Sequence, residues 1–321
     1  MKMNRRGFLA GTAAAAVAMG LPKPPAARAG IKADSWASII DLTLCDGCQD
    51  KEEPLCVSSC RAGNGHRFPE PAEDQLRDYW PQKSHEDWSS RRQVNDQLTP
   101  YNWIFVQQVE VAGEKVSIPR RCMHCDNPPC VKLCPFGVNH KSPEGPVYID
   151  PKLCFGGAKC RTVCPWQVPQ RQAGVGIYTN WQKLLPVGGG VMFKCDLCRK
   201  RLAEEKTPFC MEKCPKKAMR VGQRQEMLAE AQRLRDSYNG FLYGVDENGG
   251  TSTFYVSKVD FKELNQALAD QASEEKGLMP LHEPENMLAK QKGLAALSLA
   301  APLAGGLAAF VMAGKGKEVN K

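Results

Sequence analysis

Apolar residues in this chain come mostly in short runs separated by loops, not in long helical stripes. Residues 38–44 offer a strand-like run ahead of the first cysteine. Residues 102–111 read as a second strand, with Gly113 as a turn and residues 115–118 as its partner. Short strands are predicted at 146–149 and 191–194, and a closing strand at 216–221. Over 224–238, Met227, Leu228, Ala231 and Leu234 recur near the helical period, predicting an amphipathic helix stopped by Asn239-Gly240. Residues 241–245 and 253–257 flank the turn Asp246-Glu247-Asn248-Gly249-Gly250 and predict a hairpin, followed by a short helix at 261–268. Residues 171–190 read as a Gly-rich loop. An insert of about 60 residues after Cys60 carries Trp80, Trp88 and Trp103, is broken by Pro69, Pro71, Pro81 and Pro100, and is polar and irregular in its first part. Its aromatics are expected to form local core, to cover a metal site or to face a partner.

Two segments break this pattern. Arg5-Arg6-Gly7-Phe8-Leu9, an apolar run at 10–21 and the small-residue site Ala27-Arg28-Ala29 predict a twin-arginine export signal over 1–29. Residues 293–314 carry no charge, and a bilayer needs about 20 apolar residues. They predict a single C-terminal transmembrane anchor after a polar linker at 276–292. The tail 315–321, with Lys315, Lys317 and Lys321, is then cytoplasmic. Pro302, Gly305-Gly306 and alanine-rich faces favour packing against other helices. The body is therefore expected at the periplasmic face of the cytoplasmic membrane.

Composition narrows the remainder. With 42% hydrophobic and 24% charged residues over 321 positions, the body is an ordinary folded one. The net charge of +8 is mild, and the Lys and Arg are interspersed with acids, which argues against nucleic acid as a partner.

All 15 cysteines lie between Cys45 and Cys214, in four groups. Cys45, Cys48, Cys56 and Cys60 are spaced C-x2-C-x7-C-x3-C, and Cys122, Cys125, Cys130 and Cys134 are spaced C-x2-C-x4-C-x3-C-Pro. Cys154, Cys160 and Cys164 read C-x5-C-x3-C-Pro, and Cys195, Cys198, Cys210 and Cys214 read C-x2-C-x11-C-x3-C-Pro. An odd count in repeated spacings opposes a disulfide framework. Zinc is satisfied by two C-x2-C pairs and does not call for the recurring third cysteine and C-Pro ending. That ending is the bacterial ferredoxin run, in which three thiolates serve one cluster and the fourth serves its neighbour.

The ferredoxin pattern assigns Cys45, Cys48 and Cys56 with Cys214, and Cys195, Cys198 and Cys210 with Cys60. It assigns Cys122, Cys125 and Cys130 with Cys164, and Cys154 and Cys160 with Cys134. The last set is one thiolate short, because Gly157 stands at the position of the missing ligand. The expected cofactors are three [4Fe–4S] clusters and one [3Fe–4S] cluster, or a [4Fe–4S] cluster with one non-protein ligand. A remote side chain completing the set is the alternative. His124 within Cys-Met-His-Cys and His66 read as exposed loop residues, with a hydrogen bond to sulfur or an electron exit as the other readings. No catalytic constellation emerges, so no catalytic residue is expected.

The fold class implied is α+β: two interleaved bacterial-type ferredoxin units, the second inserted in the first, plus the membrane helix. The divisions are 30–121 for the first half of the outer unit with its Trp-rich insert, 122–170 for the inner unit, and 171–275 for the second half of the outer unit.

The segments C-M-H-C-x4-C-x3-C-P, C-x5-C-x3-C-P-W-x-V-P and K-C-D-L-C resemble the four-cluster iron–sulfur subunits of the dimethyl-sulfoxide-reductase superfamily. With the export signal and anchor, the chain looks most like the periplasmic ferredoxin subunit of membrane-bound [NiFe] hydrogenases, a likeness that extends into residues 242–251. It is also similar to the beta subunit of respiratory formate dehydrogenase and to ferredoxin subunits of transmembrane redox complexes. Two features depart from the family: the x7 spacing in the first group, where x2 is common, and Gly157. The resemblance implies an electron relay between a catalytic subunit or multihaem cytochrome c and a polytopic quinone-interacting membrane subunit. The alternatives are the beta subunit of a formate dehydrogenase or other molybdopterin oxidoreductase and, in another class, a self-contained iron–sulfur enzyme.

Overall fold

The computed structural model describes residues 35–79, 83–180 and 188–270. The predicted export signal, linker, membrane anchor and tail lie outside these residues, as do Trp80 and Pro81. Among the described residues no helix is long and apolar enough to cross a membrane.

The strands are β1 (Trp36–Asp41), β2 (Phe105–Val111), β3 (Glu114–Arg120), β4 (Asn139–Lys141), β5 (Val147–Ile149), β6 (Gln170–Gln172), β7 (Val191–Phe193), β8 (Met219–Gln223), β9 (Phe241–Tyr243) and β10 (Thr253–Ser257). The helices are α1 (Leu55–Asn64), α2 (Pro129–Lys132), α3 (Lys159–Thr162), α4 (Arg199–Ala203), α5 (Phe209–Glu212), α6 (Arg224–Tyr238) and α7 (Phe261–Asp270). The result is a mixed α/β, ferredoxin-type body.

One four-stranded sheet, ordered β8-β1-β10-β9, closes the fold. Its central strand β1 runs antiparallel to β8 and parallel to β10. Alternation sorts its side chains. Ala37 and Ile39, with Phe254 and Val256 of β10, face Ala231 and Leu234 of α6, while Ile40 and Tyr255 face the cysteine core. Both faces are covered, so β1 is buried along most of its length. Helix α6 spans the predicted residues and ends where Asn239 takes a left-handed conformation and Gly240 N–H bonds back to the Arg235 carbonyl.

The β2–β3 hairpin turns at Ala112 and Gly113, both at positive φ, as a two-residue turn requires. The first strand stops at Asp41, short of the predicted residue 44, because the Asp41 carboxylate accepts the Thr43 N–H (3.0 Å) and hydroxyl (2.6 Å) and turns the chain. The predicted Gly-rich loop at 171–190 is corrected at its start: Gln170–Gln172 form β6, paired with β7. Those residues carry no apolar signal because polar partners bury them. Arg171 bonds to Glu86, and Gln172 Nε2 to Asp87 (2.7 Å). The same contacts pin the Trp-rich insert. Glu86 also accepts two bonds from Arg161, and Arg61 reaches the Arg92 carbonyl at 2.8 Å. Trp103 is local core, 4% exposed, with its indole N–H on the Pro100 carbonyl.

Candidate metal centres

Each cysteine group folds in the same way. The residue two after the first cysteine sits at positive φ in every group: Gly47 (71°), His124 (50°), Gly156 (66°) and Leu197 (57°). This left-handed step curls the loop so that neighbouring thiols face one interior. The third cysteine of each full group then lies in the first turn of a short helix: Cys56 in α1, Cys130 in α2 and Cys210 in α5, with Cys160 its counterpart in α3. A proline after the last cysteine ends the three short helices. Its turn is closed by Gly137, Gln167 and Lys217 N–H groups on the carbonyls of Cys134, Cys164 and Cys214. The first group has Arg61 at that position, and α1 therefore runs on to Asn64.

All 15 cysteines are free thiols, and they assemble across groups. Cys45, Cys48, Cys56 and Cys214 line one cavity with Pro119 and Met219 (set 1). Cys60, Cys195, Cys198 and Cys210 line another with Trp103 and Arg121 (set 2). Cys125 has Cys130, Cys164 and Cys122 as its sulfur neighbours (set 3). Cys160 has Cys154, Cys130 and Cys134 (set 4, with Cys130 shared from the next set). The expected exchange partners are thus together. No three His, Cys, Asp or Glu among the described residues are drawn in tightly enough for a single metal ion.

The surroundings suit a cationic iron core held by anionic sulfur. Burial pushes the Cys45 thiol up to about 11, and pushes Cys160 and Cys210 up to about 12. Burial first, and then Cys210, Cys195 and Cys198, holds Cys60 well above its ordinary value. Such thiolates need a compensating positive charge, which coordinated iron supplies. Donors already point at the sulfurs. Gly156 and Met192 N–H groups meet Cys154 Sγ at 3.4 and 3.5 Å, and Leu197 N–H meets Cys195 Sγ at 3.4 Å. Asn248 Nδ2 meets Cys125 Sγ at 3.3 Å. Asn248 belongs to the 242–251 segment, which clasps set 3 through the Cys125–Thr251 bridge and the Asp126 N–H on the Gly250 carbonyl.

Sequence reasoning missed the cations at the seam between sets 2 and 3. Lys194 is buried and donates to the carbonyls of Val147 and Cys195 and to Cys122 Sγ (3.5 Å). Arg121, also buried, donates to the Cys122 carbonyl and to Ser38 Oγ. Burial works against both charges, but sulfurs of Cys122 and Cys195 outweigh it, with Cys130 beside Lys194 and Cys210 beside Arg121, and both pKa values stand above their ordinary range. The sequence did carry a signal: a cation directly precedes the second and fourth groups, whereas Leu44 and Leu153 precede the first and third. His124 is corrected. It is fully buried, not an exposed loop residue; Val147 N–H donates to its Nδ1 (3.0 Å), and its Nε2 lies 3.7 Å from Cys195 Sγ. His66 is exposed, as expected.

The two glycines of the third group differ in role. A Cβ on Gly156 would lie 2.3 Å from the Gly190 carbonyl oxygen, so the backbone there demands glycine. A Cβ on Gly157 meets nothing within 4 Å. Gly157 is exposed, and the space at its Cα is open to a side chain that the sequence does not supply.

Exchange-paired cysteine sets on curled loops and short helices define a ferredoxin-type iron–sulfur protein. Residues 113–224 match a 4Fe–4S dicluster domain. The chain is 31% identical over 315 residues to the Hydrogenase-2 operon protein HybA of Escherichia coli O157:H7, covering 84% of this chain and 86% of that one. It is 38% identical over 106 residues to an anaerobic dimethyl sulfoxide reductase chain of Escherichia coli K12, covering 33% of this chain and 45% of that one. It is 31% identical over 199 residues to a sulfite dehydrogenase subunit of Allochromatium vinosum, covering 58% and 68%. The chain belongs to the ferredoxin-type iron–sulfur subunits associated with the dimethyl-sulfoxide-reductase superfamily, electron-transfer subunits that bind [4Fe–4S] clusters.

Proposed function

We propose that this chain is a one-electron relay of four iron–sulfur sites within a membrane-bound oxidoreductase complex at the periplasmic face of the cytoplasmic membrane. In this reading sets 1, 2 and 3 each hold one [4Fe–4S] cluster by four thiolates. Cys134, Cys154 and Cys160 hold a [3Fe–4S] cluster, or a [4Fe–4S] cluster whose fourth iron takes a non-protein ligand. A bound cluster takes up and releases a single electron.

The observation that carries the reading is the cavity sharing of the outer groups: Cys60 stands with Cys195, Cys198 and Cys210, and Cys214 with Cys45, Cys48 and Cys56. The chain's own work is to keep successive sites close. Helix α1 carries a ligand of set 1 and one of set 2 a single turn apart, about 6 Å of rise. The seam of Arg121, His124 and Lys194 joins sets 2 and 3. Helices α2 and α3, with the cysteines that follow them, join sets 3 and 4. The order is 1-2-3-4, with buried cations beside the inner sets.

The outer sets are the ends offered to partners. Leu44 is 40% exposed beside set 1, and Leu153 and Phe136 are 53% and 54% exposed beside set 4. Exposed large apolar side chains suit subunit contact. The relatives, named for hydrogenase-2 and for dimethyl sulfoxide reductase, support a catalytic subunit of hydrogenase or molybdopterin type at one end, with a multihaem cytochrome c as the alternative. A polytopic quinone-interacting membrane subunit at the other end, the anchor at 293–314 and the export signal at 1–29 rest on the sequence alone.

Purified protein is expected to be brown, with broad visible absorbance bleached by dithionite, and to turn over no hydrogen, formate or sulfoxide by itself. A colourless zinc protein, or substrate turnover without partners, overturns the reading.

A further inference from the structure

We infer that His124 is a positioning residue for electron transfer at the junction of sets 2 and 3: its Nε2–H bond to Cys195 Sγ raises the reduction potential of the cluster in set 2. The inference rests on the relay reading above.

His124 lies in the curled loop of the second group, between Cys122 and Cys125 of set 3, yet its ring reaches a sulfur of set 2. The ring is fixed in one tautomer. The Val147 N–H can only donate, so Nδ1 must accept, and the ring proton resides on Nε2. Nε2 in turn faces Cys195 Sγ at 3.7 Å, within N–H···S range. The backbone on either side is held as well: Ser252 N–H bonds to the Met123 and His124 carbonyls at 3.2 Å, and Lys141 Nζ reaches the His124 and Cys125 carbonyls. The ring is fully buried, so no water competes for that proton.

A hydrogen bond to a cluster sulfur stabilises the form with more negative charge on sulfur, which is the reduced form. A cluster held in set 2 would exchange one electron with an adjacent bound cluster, and the His124 proton would stay on Nε2 in both states. Of the equivalent loop positions, Gly47, Gly156 and Leu197 have no side-chain N–H. Among these four loop positions, His124 alone offers a side-chain N–H, and it does so at the crossing between the outer and inner groups.

Leu197 adopts the same positive φ at the equivalent position of the fourth group, so His124→Leu places there a residue that the loop already carries elsewhere. The test is an EPR-monitored redox titration of the full chain as wild type, His124→Leu and His124→Gln, with 15N-histidine labelling of the wild type and of His124→Leu. Iron content equal to wild type verifies that the variants are loaded. The expected result is a 15N coupling on one cluster, lost in His124→Leu. The potential of that cluster shifts to more negative values in His124→Leu and recovers in part in His124→Gln, whose amide can donate, while the other clusters hold. An unshifted potential, or equal shifts of all clusters, overturns the inference. A wild type without iron overturns the relay reading instead.

Discussion

Cys56 and Cys60 stand one turn apart on α1 and open onto different cavities, Cys56 beside Cys45, Cys48 and Cys214, and Cys60 beside Cys195, Cys198 and Cys210. Substitution tests whether the two thiols serve two clusters. Cys56→Ser and Cys60→Ser should each remove one cluster, about four irons per chain, and the double variant about eight. Loss of only about four irons in the double variant would show instead that the first group binds a single cluster.

Gly157 leaves room for the sulfur that the third group lacks. Gly157→Cys should raise iron from about fifteen to about sixteen per chain and abolish the three-iron EPR signal of the oxidised protein. Sixteen irons in the wild type with no such signal would sink the three-iron assignment, whatever the variant does.

Asp126 follows Cys125 directly and pairs at 2.7 Å with Arg224 at the start of α6; their side chains are 9% and 13% exposed. The guanidinium also holds the Thr251 carbonyl. The pair ties the inner cysteine loop to the closing sheet and helix. Removing one partner of a buried pair costs about 3–5 kcal/mol. Asp126→Asn should lower Tm by roughly 6–20 °C for a body of this size, measured on protein with unchanged iron. An unchanged Tm would mean that the pair adds nothing to the closure.

Glu86 anchors the Trp-rich insert to Arg161 and Arg171. Burial works to raise its pKa, but the Arg161 hydrogen bond and both guanidinium charges outweigh it, and the carboxyl stands below its ordinary value. A depressed carboxyl stabilises the fold above its unfolded pKa of about 4.3, and that contribution is lost as pH falls through the lower folded value. At neutral pH, Glu86→Gln should speed amide exchange of residues 83–99 by roughly tenfold, the scale of one charged hydrogen bond. The difference from wild type should shrink as pH drops below about 4. A difference independent of pH would assign the effect to packing instead of charge.

The sequence by itself determined the cysteine grouping, the glycine at 157 where the spacing expects a cysteine, the β2–β3 hairpin and α6, and it raised the expectation of exchange from the C-x3-C endings. Each is a local matter. Spacing fixes which thiols can share a loop, Gly113 permits a tight turn, and Met227, Leu228, Ala231 and Leu234 mark one helical face. Tertiary structure decided what the residues of the seam between sets 2 and 3 touch. Whether His124 faces water or Cys195 depends on Val147, 23 residues away along the chain, and on Cys195, 71 away. Strand β6 and the insert were equally hidden, since Arg171, Gln172 and Glu86 are buried by pairing with distant polar groups. Hydrophobic periodicity registers apolar surface removed from water. It does not register polar groups that become buried because their partners arrive from another part of the chain.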